Sequence, residues 1–195
     1  MSLNRCKKLT VMLLIVGLVL GLTGLAQAQP KSGFGAKVGY FMPGDEDVED
    51  FWGSDFTFGI DYLYAFPPYG IDFGAEYFAK EEKAALLGAT YKEEWRVIPL
   101  TATFLYFFPG REGFSPYIGA GIGYYLTEYG VDVGYVGVPL FVNSWEESGI
   151  GFHAQGGFTL GENFFVEAKY STADITGDIY DVNAGGFTIL VGYRL

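Results

Sequence analysis

The sequence contains little cysteine, histidine or positive charge. Its 195 residues include one cysteine, Cys6, and one histidine, His153, and 12 Lys and Arg stand against 23 Asp and Glu. Cys6 precedes the first apolar run, so the rest of the chain has no thiol for a disulfide or a metal site. Because nucleic-acid phosphates bind Lys and Arg, the acidic balance argues against a nucleic-acid partner.

Long apolar runs are also scarce, and the one exception extends from Leu9 to Leu25. It follows three basic residues and precedes Ala26-Gln27-Ala28, a small-x-small sequence typical of a secretory cleavage site. We predict a signal peptide over residues 1–28 and an exported domain over residues 29–195. The exported domain has 9 basic and 23 acidic residues, so its net charge is −14. An uncleaved membrane helix is the alternative, but three glycines interrupt the run.

Glycine and aromatic residues are abundant instead, with 29 Gly and an aromatic fraction of 18%. A Gly in a helix interior costs about 1 kcal/mol relative to Ala, so this composition disfavours a helical protein. Large apolar residues alternate with small or polar ones in eight segments, which is the period of a β-strand. The segments cover residues 34–42, 55–64, 71–77, 98–106, 117–126, 150–160, 164–171 and 184–195.

The connections between these segments alternate in length. Residues 67–70, 109–113 and 160–163 are predicted tight turns, whereas residues 43–54, 82–93, 128–147 and 174–184 are predicted longer, polar loops. The third of these loops alternates in part and is expected to extend strands five and six as a hairpin. Alternating short and long connections are typical of an up-and-down barrel with both termini on the periplasmic side.

One face of each predicted strand is apolar, and the other carries the glycines together with the charges. A soluble lipocalin-like barrel places its polar face outside and its apolar face within. Here the uncharged face carries the large side chains, as expected if it meets lipid, where a misplaced Arg or Lys costs about 2–4 kcal/mol. We therefore predict an all-β, eight-stranded antiparallel up-and-down transmembrane β-barrel in the cell outer membrane.

Three stretches carry a resemblance to known proteins: Val97–Thr103, Ser115–Tyr124 and the terminal Gly192-Tyr-Arg-Leu195. They resemble the small eight-stranded outer-membrane barrel families typified by OmpW, OmpX and the OmpA transmembrane domain. The resemblance covers the mature chain and implies contact with outer-membrane lipid and lipopolysaccharide, and with the barrel assembly machinery through the C-terminal strand. Leu195 departs from the terminal Phe that these families usually carry.

The inward face predicts a polar network inside the barrel. Buried charges need partners, and an eight-stranded interior is just wide enough for side chains to fill. We therefore favour a packing network over a conducting pathway, and we expect His153 to be a structural residue bonded to Gln155 or Glu167. The predicted members are Lys37, Asp61, Asp72, Glu76, His153, Gln155, Glu167, Lys169 and Arg194.

Inward glycines on strands five and six leave space beside inward aromatic residues. If the aromatic side chains fill this space the interior is packed, and if they do not, a narrow apolar cavity opens toward the cell exterior. The resemblance to OmpW-like barrels implies a site of this kind for small hydrophobic molecules. The residues concerned are Phe41, Tyr117, Gly119, Gly121, Gly123, Tyr125, Gly151 and Phe165.

We predict a structural role, or passive binding or passage of small hydrophobic molecules. The alternative is a surface protein that acts by adhesion through outer loops, at Phe51-Trp52 or Trp145. A lipid A-modifying enzyme is a third class, but it needs a His and a Ser side by side near the outer lipid interface, and no Ser stands two residues after His153. We predict no catalytic residue, cofactor or metal site. The acidic run 45–50 is expected to be a solvated loop.

Overall fold

The computed structural model describes residues 30–44, 53–86, 89–110, 113–135, 138–176 and 181–195. The predicted signal peptide, the acidic run 45–50, Phe51 and Trp52 lie outside these residues. Ten strands form within the described residues. They are β1 (Gly33–Pro43), β2 (Asp55–Phe66), β3 (Tyr69–Leu86), β4 (Ala89–Phe107), β5 (Phe114–Tyr135), β6 (Val138–Leu160), β7 (Phe164–Thr172), β8 (Asp174–Thr176), β9 (Asp181–Asn183) and β10 (Gly186–Arg194).

Eight of these strands close into one antiparallel barrel, and β8 pairs with β9 in a separate two-stranded sheet. Each barrel strand pairs with its neighbours in the chain, and β1 pairs with β10, with Val38 opposite Val191, to complete the ring. The predicted eight-stranded up-and-down barrel is confirmed. Within the described residues, no helix is long and apolar enough to cross a membrane.

Both termini of the barrel and its three tight turns lie at one end, which we call the short-turn end; the opposite end is the long-loop end. The turn after β6 contains Gly161, whose φ of 65° lies in the left-handed region that favours glycine. At the long-loop end, the predicted loop over residues 174–184 contains the short β8–β9 pair.

Strands β3 to β6 are much longer than the other barrel strands. β2 pairs with β3 only as far as Phe78, and β7 pairs with β6 only as far as Phe152. The remainder of β3 to β6 continues past the long-loop end as a four-stranded sheet. We call this sheet the β3–β6 extension; it comprises residues 79–86, 89–96, 127–135 and 138–149.

The extension corrects the prediction of a loop over residues 82–93, whereas the hairpin predicted from strands five and six is confirmed. Like charges stand opposite each other on β3 and β4, as with Lys83 and Lys92. Ion pairs compensate them: Lys92 Nζ lies 2.7 Å from a carboxylate oxygen of Glu81, diagonally across the two strands, and Lys83 pairs with Glu81 along β3. These hydrogen bonds hold the pKa of Glu81 below its ordinary value. The charges thus stabilise a strand pair in a segment whose polarity suggested a loop.

The outward face of the barrel is apolar, as predicted. Phe34, Ile60 and Ile150 expose 67%, 64% and 69% of their surface, which is stable only in apolar surroundings. Aromatic rings also contact one another around the short-turn end, where their polar tips suit a lipid–water interface. Examples are Tyr69 with Tyr106, at 5.7 Å between ring centroids, and Phe164 with Tyr193, at 5.0 Å.

The interior is packed in layers. Near the short-turn end, Leu63, Leu105, Phe107 and Tyr117 form a buried apolar cluster, the lower cluster. Near the long-loop end is a second apolar cluster, the upper cluster, to which β8 contributes Ile175. Its members are Phe41, Phe78, Trp95, Val97, Tyr125, Ala173, Ile175 and Ala184. The predicted polar residues lie between the two clusters.

Glycines make this packing feasible because large side chains lie over them. A Cβ added to Gly123 would lie 2.7 Å from Cε2 of Tyr125 and 3.2 Å from Cγ2 of Thr101. Gly151, on the neighbouring strand, faces the same Tyr125 ring, and a Cβ there would also lie 2.7 Å from it. Glycines on two neighbouring strands therefore provide the space for one tyrosine ring.

Replacing Gly123 by Leu should destabilise the barrel because the new side chain overlaps the Tyr125 ring. We expect a loss of about 1–3 kcal/mol or more in the free energy of unfolding. Urea titration in detergent micelles, followed by heat-modifiable gel mobility, measures it. The control is Ala120→Leu, on the exposed outward face of the same strand. Equal stability of the two variants would contradict the packing described.

Candidate functional site

The nine residues of the predicted polar network all lie on the inward face, on β1, β2, β3, β6, β7 and β10. Eight of them expose only 3–7% of their surface, and the side chain of Arg194 exposes 11%. The strand alternation places them there, because residues two apart share a face. Their burial between two apolar clusters makes them the candidate site.

Glu76 and Glu167 are the centres of the first group of charges. Lys37 Nζ lies 2.9 Å from Glu76 Oε1 and 3.9 Å from Glu167 Oε1, and Lys169 donates a hydrogen bond to Glu76. Glu167 also accepts hydrogen bonds from Gln155 Nε2, at 2.8 Å, and from the hydroxyl of Tyr117, at 3.0 Å. Strands distant in sequence are thereby linked across the interior.

Arg194 is the centre of the second group. Its Nη2 lies 2.6 Å from Asp61 Oδ2 and 3.7 Å from Asp72 Oδ1. The guanidinium carbon lies 4.7 Å from the centroid of the Phe165 ring, a cation–π geometry. Gly35 stands between Arg194 and Asp61 in the strand register, and its missing side chain leaves room for the ion pair to form.

His153 does not contact the residues expected for it. Its Nε2 lies 2.8 Å from the hydroxyl oxygen of Thr103, and its Nδ1 has no hydrogen-bond partner. Gln155 bonds Glu167 instead. Strand alternation places Thr103 on the inward face of β4, but its hydrogen bond with His153 joins two strands that are not neighbours in the barrel, which alternation alone does not predict.

The eight residues of the predicted apolar site are divided among the layers. Phe41 and Tyr125 belong to the upper cluster, Tyr117 to the lower cluster, and Phe165 contacts Arg194. Side chains also lie over the glycines: Leu105 over Gly119, His153 over Gly121, and Tyr125 over Gly123 and Gly151. The structure does not bring these residues together around one cavity, and hydrophobic-ligand binding there stays a prediction.

Sequence reasoning missed two features of the long-loop end. Trp95 and Phe78 pack edge-on, with their ring centroids 5.4 Å apart in the upper cluster. Glu93 is buried one step further out on β4. If the alternation of inward and outward residues is continued along β3 and β4 beyond the predicted strands, Phe78, Trp95 and Glu93 all fall on the inward face. Within the described residues, no three His, Cys, Asp or Glu side chains are grouped to hold a metal ion.

A closed eight-stranded barrel with an apolar outside and a packed, ion-paired inside is the architecture of a small transmembrane β-barrel. The sequence agrees: residues 13–194 match the family model of the outer membrane protein beta-barrel domain. The chain belongs to this family and is located in the outer membrane. Among curated proteins, none matches the sequence.

Solved structures share the fold at low identity. Neisserial surface protein A is 16% identical with a TM-score of 0.59, covering 88% of this chain and 98% of that one. Ail of Yersinia pestis, in complex with the heparin analogue sucrose octasulfate, is 15% identical with a TM-score of 0.53, covering 85% and 99%. OprG of Pseudomonas aeruginosa is 18% identical with a TM-score of 0.51, covering 87% and 98%.

Replacing Glu76 by Gln should destabilise the barrel because Lys37 and Lys169 lose a shared buried carboxylate. Breaking a buried ion pair by removing one partner costs about 3–5 kcal/mol. Urea-induced unfolding in lipid vesicles measures the loss. The matched control is Glu81→Gln, which removes the same charge from solvent-exposed ion pairs and should change the stability little. Equal losses would show that the buried carboxylate of Glu76 contributes no more to stability than an exposed one.

Proposed function

We propose that this protein is a closed membrane anchor that presents the β3–β6 extension at the cell surface, where the extension binds molecules outside the cell. One observation carries the proposal: the four longest strands continue past a barrel whose interior is packed. In small outer-membrane barrels the short turns are periplasmic and the long loops extracellular. The extension then projects from the outer surface.

The packed interior favours surface binding over passage through the lumen. A molecule crossing the barrel would have to displace the upper cluster, then the ion pairs of Glu76 and Arg194, then the lower cluster. An eight-stranded barrel offers no room beside these side chains for an aqueous channel. Surface interaction, rather than passage of small hydrophobic molecules, is therefore the function that the geometry supports better.

The charge of the extension indicates the chemistry of its partner. Its residues include 4 basic side chains, Lys80, Lys83, Lys92 and Arg96, and 8 acidic ones. Ail, a structural neighbour, is in complex with a heparin analogue, which is a polyanion. Like charges repel, so we propose that this chain binds neutral or cationic molecules rather than sulfated polysaccharides.

We also propose that the protein is not a lipid A-modifying enzyme. A catalytic histidine would have to reach a substrate at the outer lipid interface. His153 is buried in the interior, and its hydrogen bond is with Thr103. Neither side chain faces lipid, which supports a structural role for the pair.

Shortening the extension should abolish surface binding and leave the barrel folded. The variant replaces residues 81–94 and 130–144 each by an Asn-Gly turn, which suits a two-residue hairpin. The variant keeps Lys80, Trp95, Tyr129 and Trp145, which lie directly opposite one another on the four strands. We expect cells displaying the variant to lose adherence to immobilised host or bacterial surface extracts that the wild type binds, with unchanged heat-modifiable mobility.

Planar-bilayer recordings should show no stable single-channel conductance for the wild type. Sustained ion currents from purified wild-type protein would contradict a closed anchor. Unchanged adherence of the shortened variant would contradict a role for the extension. Heparin serves as the negative ligand, since the acidic sheet should not retain it at physiological ionic strength.

A further inference from the structure

The inner face of the β3–β6 extension combines aromatic rings with carboxylates. Lys80, Trp95, Tyr129 and Trp145 lie directly opposite one another on four successive strands and form a row across the sheet. The rings of Tyr129 and Trp145 stack, with centroids 5.7 Å apart and an interplanar angle of 22°. One step further from the barrel, Glu82 and Glu93 lie opposite each other. We call these six residues the aromatic–acidic face.

Three carboxylates on the other side of the same sheet, Glu81, Glu94 and Glu128, have ion-pair partners. Glu94 pairs with Lys92 and with Arg96, whose Nε lies 2.6 Å from a Glu94 oxygen. Arg96 also reaches Glu128, at 2.8 Å. On the outer surface of the extension, then, alternating ion pairs neutralise like charges that stand opposite each other.

Glu93 is different. It exposes only 6% of its surface, its Oε1 accepts a hydrogen bond from the hydroxyl of Tyr91, and its Oε2 is buried with no hydrogen-bond partner. The nearest cation on the same face of the facing strand, Lys80, pairs with Asp55, 2.6 Å from its Oδ2. The cross-strand neighbour is another carboxylate, Glu82, and like charges directly opposite each other are destabilising.

An uncompensated, nearly buried carboxylate is destabilising unless a cation approaches it. Aromatic faces beside it attract organic cations through their ring quadrupoles. A metal ion is less suited, because no three metal-ligating side chains are grouped in the described residues. We propose that the aromatic–acidic face binds an alkylammonium group from outside the cell, with Glu93 and Glu82 as counter-ions and the half-buried, stacked rings of Tyr129 and Trp145 against its carbon atoms.

This proposal rests on the extracellular placement of the extension in the proposed function, but it does not rest on adherence to cells. The ligand chemistry is a primary or quaternary ammonium group carried by a small molecule. Binding to purified protein is measured without any cell surface, so its failure leaves the adherence experiment untouched. Loss of adherence in the shortened variant likewise leaves the ammonium site to be tested separately.

The test uses spermidine as the probe. The full chain is refolded in octyl glucoside, a detergent without an ammonium group, and titrated at about 0.1 M ionic strength, where exposed charges are screened beyond about 10 Å. Tryptophan fluorescence and calorimetry report binding. We expect saturable binding, weakened about tenfold or more in Glu93→Gln and about threefold in Glu82→Gln, as lost charge-assisted contacts predict.

Glu94→Gln is the matched control, because it removes the same charge one residue along β4 on the opposite face. We expect it to change the affinity less than about twofold, as for a screened surface charge. Heat-modifiable mobility verifies folding, and if Glu93→Gln does not fold, the exposed Glu82→Gln decides. Equal weakening of spermidine binding by Glu93→Gln and Glu94→Gln would overturn the proposal. A weak site has a Kd of about 1 mM, so binding that does not saturate by about 10 mM spermidine would overturn it too. Mg²⁺ binding with the same dependence on Glu93 is the third contrary outcome.

Discussion

Closure of the strand ring is the constraint on which the rest of the structure depends. In hydrocarbon no water is present to bond an unpaired N–H or C=O group, so a sheet that spans a membrane must pair its first strand with its last. β1 and β10 do this over nine cross-strand residue pairs, from Gly35 with Arg194 to Pro43 with Gly186. Once eight strands are closed, the interior volume is fixed, and side chains from all of them must fill it.

The alternation of glycine with large side chains follows from that fixed volume. Tyr125 lies over two glycines of adjacent strands, and Tyr117 lies over Gly157, where an added Cβ would lie 2.7 Å from its hydroxyl oxygen. The fixed volume also determines how the buried charges are compensated, because in a narrow interior they pair with one another. Lys169 and Glu76 are 93 residues apart and meet across the lumen. The polar layer therefore links strands that the hydrogen-bonded ladder does not join.

Strand number, strand order and the direction of nearly every inward side chain could be predicted from the sequence, because a period of two needs only local information. Contacts across the lumen could not, because they depend on the tilt and stagger of strands that are distant in sequence. His153 shows the difference: its inward direction followed from parity, and its partner Thr103 did not. The filling of the space beside Gly123 by Tyr125 depended on a rotamer that parity does not define.

The error at residues 82–93 has another cause. Apolar alternation identified the strands, and above the barrel the outward face stops being apolar while the strands continue. The change occurs from one outward-facing row to the next. Ile98 lies opposite Leu126, and two residues further along the strands Arg96 and Glu128 form an ion pair at 2.8 Å. The register of β4 and β5 is unbroken there, so Arg96 shares its face with Ile98. Lipid contact ends between these two rows, because a paired Arg and Glu replace apolar side chains on the surface that lipid would meet.

The inner face changes over the same rows, from the apolar Val97 to the aromatic row and then to Glu82 and Glu93. A continuous β-sheet thus meets two solvents, and its outer-face composition marks the boundary between them.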